Sequence, residues 1–341
     1  MIIDAHAHTN GGNLGNYKAG LLSSRALAQG NFHQNEEQLR PAVENHIKTI
    51  MDDVGTDVQF ISPRPFQLMH SETPTKIVHY YAQASNDVNA MTVKIAPERY
   101  AGVACLPQVP TEPISTWIPE LERCVNELGM IGLLINPDPF EGEGLFPGMG
   151  DEVWYPLYEK MVELDVPALI HSATTKNPWD YYQNYFITTE TSCILQMVEK
   201  RVFQTFPKLK IIVAHGGGSI PYQVGRWRSN FGRMMGLDFD EELSKFYFDT
   251  GLYNVESLEL LFKIVGTERC MFGTENPGTG SYRWPKTGKM LDDTKPLIDS
   301  IDWLTEQDKK NVYEDVAKKV FSRFANTQAA KNTGAASAAK V

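Results

Sequence analysis

Histidine changes charge near neutral pH and is the commonest metal ligand among the side chains; eight histidines occur in this chain of 341 residues. Four of them stand at the ends of short apolar runs. IIDAHAH carries His6 and His8, PALIH ends on His171, and IIVAHGGG carries His215. Alternate residues of a strand point to the same side, so His6 and His8 can ligate one ion together, at about 2.0–2.1 Å for zinc. His171 can supply a third nitrogen from another strand. Glu275, in FGTENP, directly follows a further apolar run. A carboxylate there can bind the metal or take a proton from water that the metal activates. His215 is then a nearby acid or base. An HxH pair alone is a weak signal, because a short loop can carry two solvated histidines; four histidines and a carboxylate, each at a strand end and in this order, are much harder to produce by accident.

For these residues to meet, the elements must bring their ends together. Apolar runs that read as strands are Ile2–His6, Val58–Ser62, Tyr100–Cys105, Gly132–Asn136, Ala168–His171, Ile211–His215, Phe246–Thr250 and Cys270–Gly273. Helical patterns fall at Val43–Asp53, Ile77–Lys94, Ile114–Leu128, Trp154–Leu164, Thr189–Phe206, Ile220–Met235, Val255–Ile264 and Leu304–Ala325. In TWIPELERCVNEL, for example, Ile118, Leu121, Cys124, Val125 and Leu128 share one helical face. Strands alternating with helices indicate βαβ units and a parallel sheet. Eight such units predict an α/β fold, a (β/α)8 TIM barrel whose active site forms at the C-terminal ends of the strands; a doubly wound sheet is the rival. The expected organisation is a single domain over 1–325 followed by a disordered tail over 326–341, rich in Ala, Lys, Asn and Thr. The first connection, about Thr9 to Glu44, is long, as functional barrel loops often are, and a lid over the site is one role open to it.

Further strand-end residues are candidates for substrate binding. Arg64, in SPRPFQ, lies between two prolines that stiffen its loop. A fixed guanidinium suits a carboxylate, although a structural salt bridge explains it equally well. Asn136 in INPDP, Tyr185 in the loop after the fifth strand, and Tyr222 and Arg226 in IPYQVGR are further pocket candidates, with core packing or capping as the alternative for each. His33 and His70 are possible pocket residues. Other motifs fail: HGGG has no accompanying GxSxG, no HExxH occurs, and TGKM is not a P-loop. The glycines after His215 instead let the chain turn tightly.

The net charge of −10 excludes a nucleic-acid surface as the general expectation while leaving room for a local cationic site. The four cysteines form no CxxC pair and read as reduced thiols of a cytoplasmic protein. The start, MIIDAHAH, is too polar for a signal peptide, and the absence of an apolar run of about 18 residues argues against a membrane span.

Taken together, HAH, IH, AHGGG and FGTENP resemble the amidohydrolase-2 group of the amidohydrolase superfamily, over nearly the whole chain. That group holds metal-dependent decarboxylases, such as those acting on aminocarboxymuconate semialdehyde and γ-resorcylate, and hydratases. ISPRPFQ, LPQV, NPDP, WYPLYEK, HGGGSIPYQ and FGTENPG most resemble its 4-oxalomesaconate hydratases, and Glu275 stands where the decarboxylases usually carry Asp. The resemblance implies a zinc-type ion (Mn2+ or another divalent metal being the alternative) on His6, His8, His171 and Glu275. It implies a lyase in which Glu275 and His215 divide the proton transfers of adding water to a carbon–carbon double bond. The implied substrate is a small unsaturated oxo-polycarboxylate from aromatic ring cleavage, held by Arg64. The alternative is a non-oxidative decarboxylase of an aromatic or muconate-type acid. A homo-oligomer, dimer or larger, is also implied.

Overall fold

The computed structural model describes residues 1–9, 35–65 and 68–331. Most of the first connection, including His33, lies outside the described residues, so its role falls outside them too. Eight strands lie in sequence order in one parallel sheet: β1 (Ile3–His8), β2 (Val58–Ser62), β3 (Tyr100–Ala104), β4 (Gly132–Ile135), β5 (Ala168–Ile170), β6 (Ile211–Val213), β7 (Tyr247–Asp249) and β8 (Cys270–Met271). Backbone bonds from Ala5 N to Phe272 O (2.8 Å), from Glu275 N to His6 O (2.7 Å) and from His8 N to Asn276 O (2.9 Å) join the first strand to the segment after the last. The sheet thus curls into the expected (β/α)8 barrel.

β1 runs on through His8, so both residues of the HxH pair are strand residues, and the register with β2 shifts between Asp4 and Ala7. Asn136, His171 and His215 instead fall just past their strands, where the ladder ends and the chain turns over the barrel mouth.

The helices are α1 (Glu36–His46), α2 (Lys76–Ile95), α3 (Ile118–Asn126), α4 (Tyr155–Leu164), α5 (Tyr182–Glu199), α6 (Ile220–Met235) and α7 (Val255–Val265). Two begin earlier than the apolar periodicity suggests. α1 starts at Glu36 because Asn35 and Gln38 form a capping box upstream of the first apolar residue. α5 starts at Tyr182, not Thr189, because its first turn is turned toward a cavity and carries polar and aromatic residues instead of a core stripe. The expected single helix over Leu304–Ala325 is instead a series of short turns: Glu306–Lys310, a π-helical turn at Asn311–Asp315, Val316–Val320 and a 3-10 turn at Ser322–Asn326.

Inward-facing strand residues such as Ile3, Val58, Phe60, Val103, Leu134, Leu169, Ile212 and Met271 form one buried cluster with Val320, Phe321 and Phe324. Phe60 contacts both Phe321 and Phe324 with ring centroids 4.9 Å apart. Gly132, which opens β4, has no room for a side chain because a Cβ would lie 2.7 Å from the Phe321 ring. The C-terminal turns therefore close the floor of the barrel, leaving the opposite end open for a site. A larger cluster, including Trp117, Trp154, Tyr158 and Phe248, packs strands against helices. Among the described residues no helix is long and apolar enough to cross a membrane.

The ordered chain also passes the boundary expected at 325. Residues 328–331 are helical and Ala329 is fully buried beside the floor cluster; a small methyl-bearing residue can fill a gap there despite the polar composition around it. Residues 332–341 lie outside the described residues. A chain ending at Asn326 should therefore melt roughly 1–3 °C below one ending at Lys331, since a buried methyl is worth about 0.8 kcal/mol. Equal melting temperatures would show that this turn contributes nothing.

Candidate metal centre and active site

β1, the end of β5 and the end of β6 bring four imidazoles into mutual contact. Ring centroids are 5.1 Å apart for His6 and His8, 4.9 Å for His6 and His171, 5.3 Å for His8 and His171, and 4.9 Å for His171 and His215. All four rings are buried. The ligating atoms of His6, His8 and His171 lie within 4.8 Å of one another, and so do those of His171, His215 and Glu275, so the two triads share His171.

Each ring is held by its δ nitrogen. His6 Nδ1 bonds the Asp249 carboxylate at 2.5 Å, His8 Nδ1 the Ser62 hydroxyl at 3.1 Å, and His171 Nδ1 donates to the Ser172 carbonyl at 2.7 Å. Their ε nitrogens are thereby turned toward the centre. Those of His6 and His171 are buried without a hydrogen-bond partner among the described residues. An orphaned buried polar atom costs about 1–3 kcal/mol, and a carboxylate-anchored imidazole with a free ε nitrogen is the usual state of a metal ligand. Burial, reinforced by neighbouring rings, holds His8 well below the ordinary imidazole pKa; burial also lowers His171, against the pull of Glu275. Neutral rings are the form that binds metal. The three histidines fit a divalent cation.

His215 differs. Burial again opposes its charge, but Glu190, 2.9 Å from Nδ1, and Glu275 outweigh that effect and raise its pKa well above the ordinary value. Glu275 Oε1 lies 3.5 Å from His215 Nε2 and 3.8 Å from His171 Nε2. Burial favours the neutral acid, yet these two rings hold the Glu275 carboxyl well below the usual carboxylate range. Its other oxygen, Oε2, accepts a bond from the Tyr253 hydroxyl and one from Thr279 N at 3.3 Å. One oxygen is tethered and the other faces the histidines.

The backbone is bent to achieve this. His215 and Glu275 both adopt positive φ, 51° and 61°, a conformation that costs a residue with a side chain of order 1–3 kcal/mol. Gly216, Gly217 and Gly218 follow His215 with φ of 62°, 79° and 65°, which confirms the tight turn expected of that run. Gly278 is packed against Glu275 so closely that a Cβ would meet the carboxyl carbon at 2.6 Å.

Two cavities flank Glu275. One of about 210 Å³ is lined by His8, Arg64, His171, Tyr182, Phe186 and Glu275 among others. The second, about 270 Å³, meets His215, Leu252 and Tyr253 on the other side of Glu275. Arg64 thus sits at the site, with Nη2 donating to Pro277 O at 2.8 Å. The other pocket candidates stand elsewhere. Asn136 is wholly buried, its amide donating to Asp138 O and paired with His70 Nδ1, so both it and His70 belong to a structural knot behind the wall. Tyr185 gives its hydroxyl to Asp138 and is likewise buried. Tyr222 and Arg226 are exposed on α6 and line neither cavity.

Asp249, Glu190, Tyr253 and Tyr182 escaped the sequence reading. Asp249 ends β7 and obeys the strand-end rule that found the histidines. Tyr182 lies one helical turn before Tyr185, and became visible only once α5 was seen to begin there. Glu190 lies inside α5 and pairs with His215 across the fold, which no local pattern announces.

These anchors generate a prediction. Asp249→Asn removes the charge that fixes the tautomer of His6, and should weaken divalent-metal affinity about 10–100-fold in chelator competition while the barrel stays folded. Unchanged affinity would mean that His6 is not a ligand. The pair His6→Ala and His8→Ala should abolish stoichiometric metal.

The amidohydrolase family matches residues 3–323. The chain is 36% identical over 292 residues to a 2-keto-4-carboxy-3-hexenedioate hydratase of Sphingobium sp. (strain NBRC 103272 / SYK-6), covering 85% of each. It is 30% identical to a 2-amino-3-carboxymuconate-6-semialdehyde decarboxylase of Dictyostelium discoideum, over 76% of this chain and 71% of that one. The crystal structure of a 4-oxalomesaconate hydratase from Rhodopseudomonas palustris superposes with a TM-score of 0.86 at 30% identity, covering 99% of this chain and 100% of the other. The chain belongs to the amidohydrolase family.

Proposed function

We propose that this protein is a metal-dependent hydratase that adds water across a carbon–carbon double bond of a small unsaturated oxo-polycarboxylate, of the 4-oxalomesaconate kind. The observation that carries the reading is the split environment of Glu275: Oε2 tethered by Tyr253, Oε1 turned toward His215, whose pKa Glu190 and Glu275 raise. The similarity to two hydratases supports it.

His6, His8 and His171, with Glu275 beside them, would hold the cation, zinc being the first choice and manganese or another divalent ion the alternative. Bound there, a divalent cation supplies Lewis acidity, which makes a water molecule easier to deprotonate. Glu275 accepts the proton of the attacking water through Oε1. The water oxygen bonds to one carbon of the double bond, and the π electrons move toward the conjugated carbonyl. His215 then gives its proton to the adjacent carbon, and the proton that Glu275 took from water passes back to His215, 3.5 Å away, which restores both groups. Arg64 binds a substrate carboxylate, and its bond to Pro277 fixes the guanidinium at the cavity wall.

The remaining expectations are carried as part of this reading. Four buried cysteines without a disulfide fit a reducing, cytoplasmic setting. Self-association into a dimer or larger fits the exposed aromatics Trp179 (91% exposed), Tyr181 (76%) and Tyr222 (78%).

Incubation in ¹⁸O water should place one heavy oxygen on a newly saturated carbon with no carbon dioxide released; stoichiometric carbon dioxide without incorporation would replace this reading with that of a decarboxylase. Glu275→Gln keeps the shape but cannot take a proton, and should lower kcat by at least about 10²-fold with a smaller change in KM. Arg64→Met should raise KM for a carboxylate substrate at least about tenfold, since a charge-assisted bond is worth roughly 1.5–3 kcal/mol. An unchanged KM with a lowered melting temperature would assign Arg64 a purely structural part.

A further inference from the structure

The opposite end of the barrel carries a cleft of its own. It has a volume of about 720 Å³ and is walled by residues that stand at the starts of strands: Lys208 and Lys210 just before β6, Lys245 and Tyr247 at the start of β7, and Arg269 just before β8. Its size lies in the range of small-molecule sites. Phe203, Pro207 and Leu209 supply an apolar wall.

The charge here runs against that of the molecule. The chain carries a net charge of −10, yet four cations and a single carboxylate, Asp165, line this cleft. Asp165 is taken by Lys210 at 2.7 Å, and Lys245 is paired with Glu242 at 2.7 Å. Lys208 and Arg269 have no ion pair with any carboxylate among the described residues, nor has Lys319 nearby. The guanidinium of Arg269 lies over the Tyr247 ring, 5.1 Å from its centroid, and the ammonium of Lys319 lies 5.9 Å from the same centroid. Tyr247 is buried, so its ring is a fixed platform that gathers two cations at the edge of the cleft. Holding like charges together without a counter-ion is unfavourable, and an anion bound between them removes the repulsion.

We propose that this cleft binds a small organic polyanion, its carboxylate or phosphate groups on Arg269 and Lys208 and its carbon skeleton against Phe203 and Leu209. Such a site lies at the floor side of the barrel and is independent of the chemistry at the mouth.

Calorimetric titration of the metal-loaded protein at low ionic strength tests this, with tricarballylate as the carboxylate probe and glycerol 3-phosphate as the phosphate probe. Saturable binding of either at one site per chain, beyond any at the mouth, is expected, and the probe that binds there identifies which anion the cleft prefers. Binding should persist in Arg64→Met, which removes the cation at the mouth, and should weaken at least about tenfold in Lys208→Ala/Arg269→Gln. Lys208→Ala alone changes an exposed side chain, leaves the fold intact and should show part of the same loss. Failure of both probes to saturate, equal affinity in the double variant, or loss of binding in Arg64→Met would overturn the proposal.

Discussion

Four imidazoles packed with centroids 4.9–5.8 Å apart cannot all be charged. Two like charges about 5 Å apart repel by about 3 kcal/mol even at an effective dielectric constant of 20, and burial adds a desolvation penalty for each. Much of the mouth follows from how that conflict is resolved. His8 and His171 stay neutral, and the δ nitrogens of His6, His8 and His171 are tied to Asp249, Ser62 and the Ser172 carbonyl, so that their ε nitrogens converge. The pKa of His215 is raised instead, against the effect of its burial, because Glu190 and Glu275 stand beside it. One cluster thus has two sides, three imidazoles with converging ε nitrogens and one paired with carboxylates, with Glu275 between them.

The barrel seam makes that division possible. Glu275 follows β8, and its backbone N–H bonds the carbonyl of His6 itself. The same closure that completes the sheet therefore sets the carboxylate against the strand that carries His6 and His8. Positive φ at Glu275 and His215, and the close packing of Gly278, show that the chain departs from relaxed geometry where it delivers these two groups. The bends are held by their own contacts: His215 by Glu190, and Glu275 by Tyr253 and the backbone of His6.

Much of this was legible in the sequence, and for a definite reason. Strand ends of a parallel barrel meet at one face, so a residue's position in the chain predicts its neighbourhood; that rule brings His6, His8, His171, His215, Glu275 and Arg64 to one mouth, where the structure also places them. The rule is silent about side chains one turn into a helix. It placed Tyr185 in the pocket although Tyr185 bonds Asp138, and it passed over Tyr182 because the start of α5 shows no apolar stripe. Asn136 satisfies the rule but turns backward to His70 and Asp138. Partners such as Glu190 and Tyr253 depend on tertiary contacts, which no spacing encodes. The C-terminal boundary was misplaced for a related reason: composition marks the segment as polar, while the burial of a single alanine holds its first residues to the floor.

If the three ε nitrogens converge on one divalent cation beside Glu275, anomalous diffraction from crystals of the zinc-loaded protein, collected on either side of the zinc absorption edge, should reveal it directly. One strong peak per chain is expected at roughly 2.0–2.1 Å from Nε2 of His6, His8 and His171, with the δ nitrogens still on Asp249, Ser62 and Ser172. A peak at other residues, or a zinc ion bound through a δ nitrogen of this cluster, would contradict it.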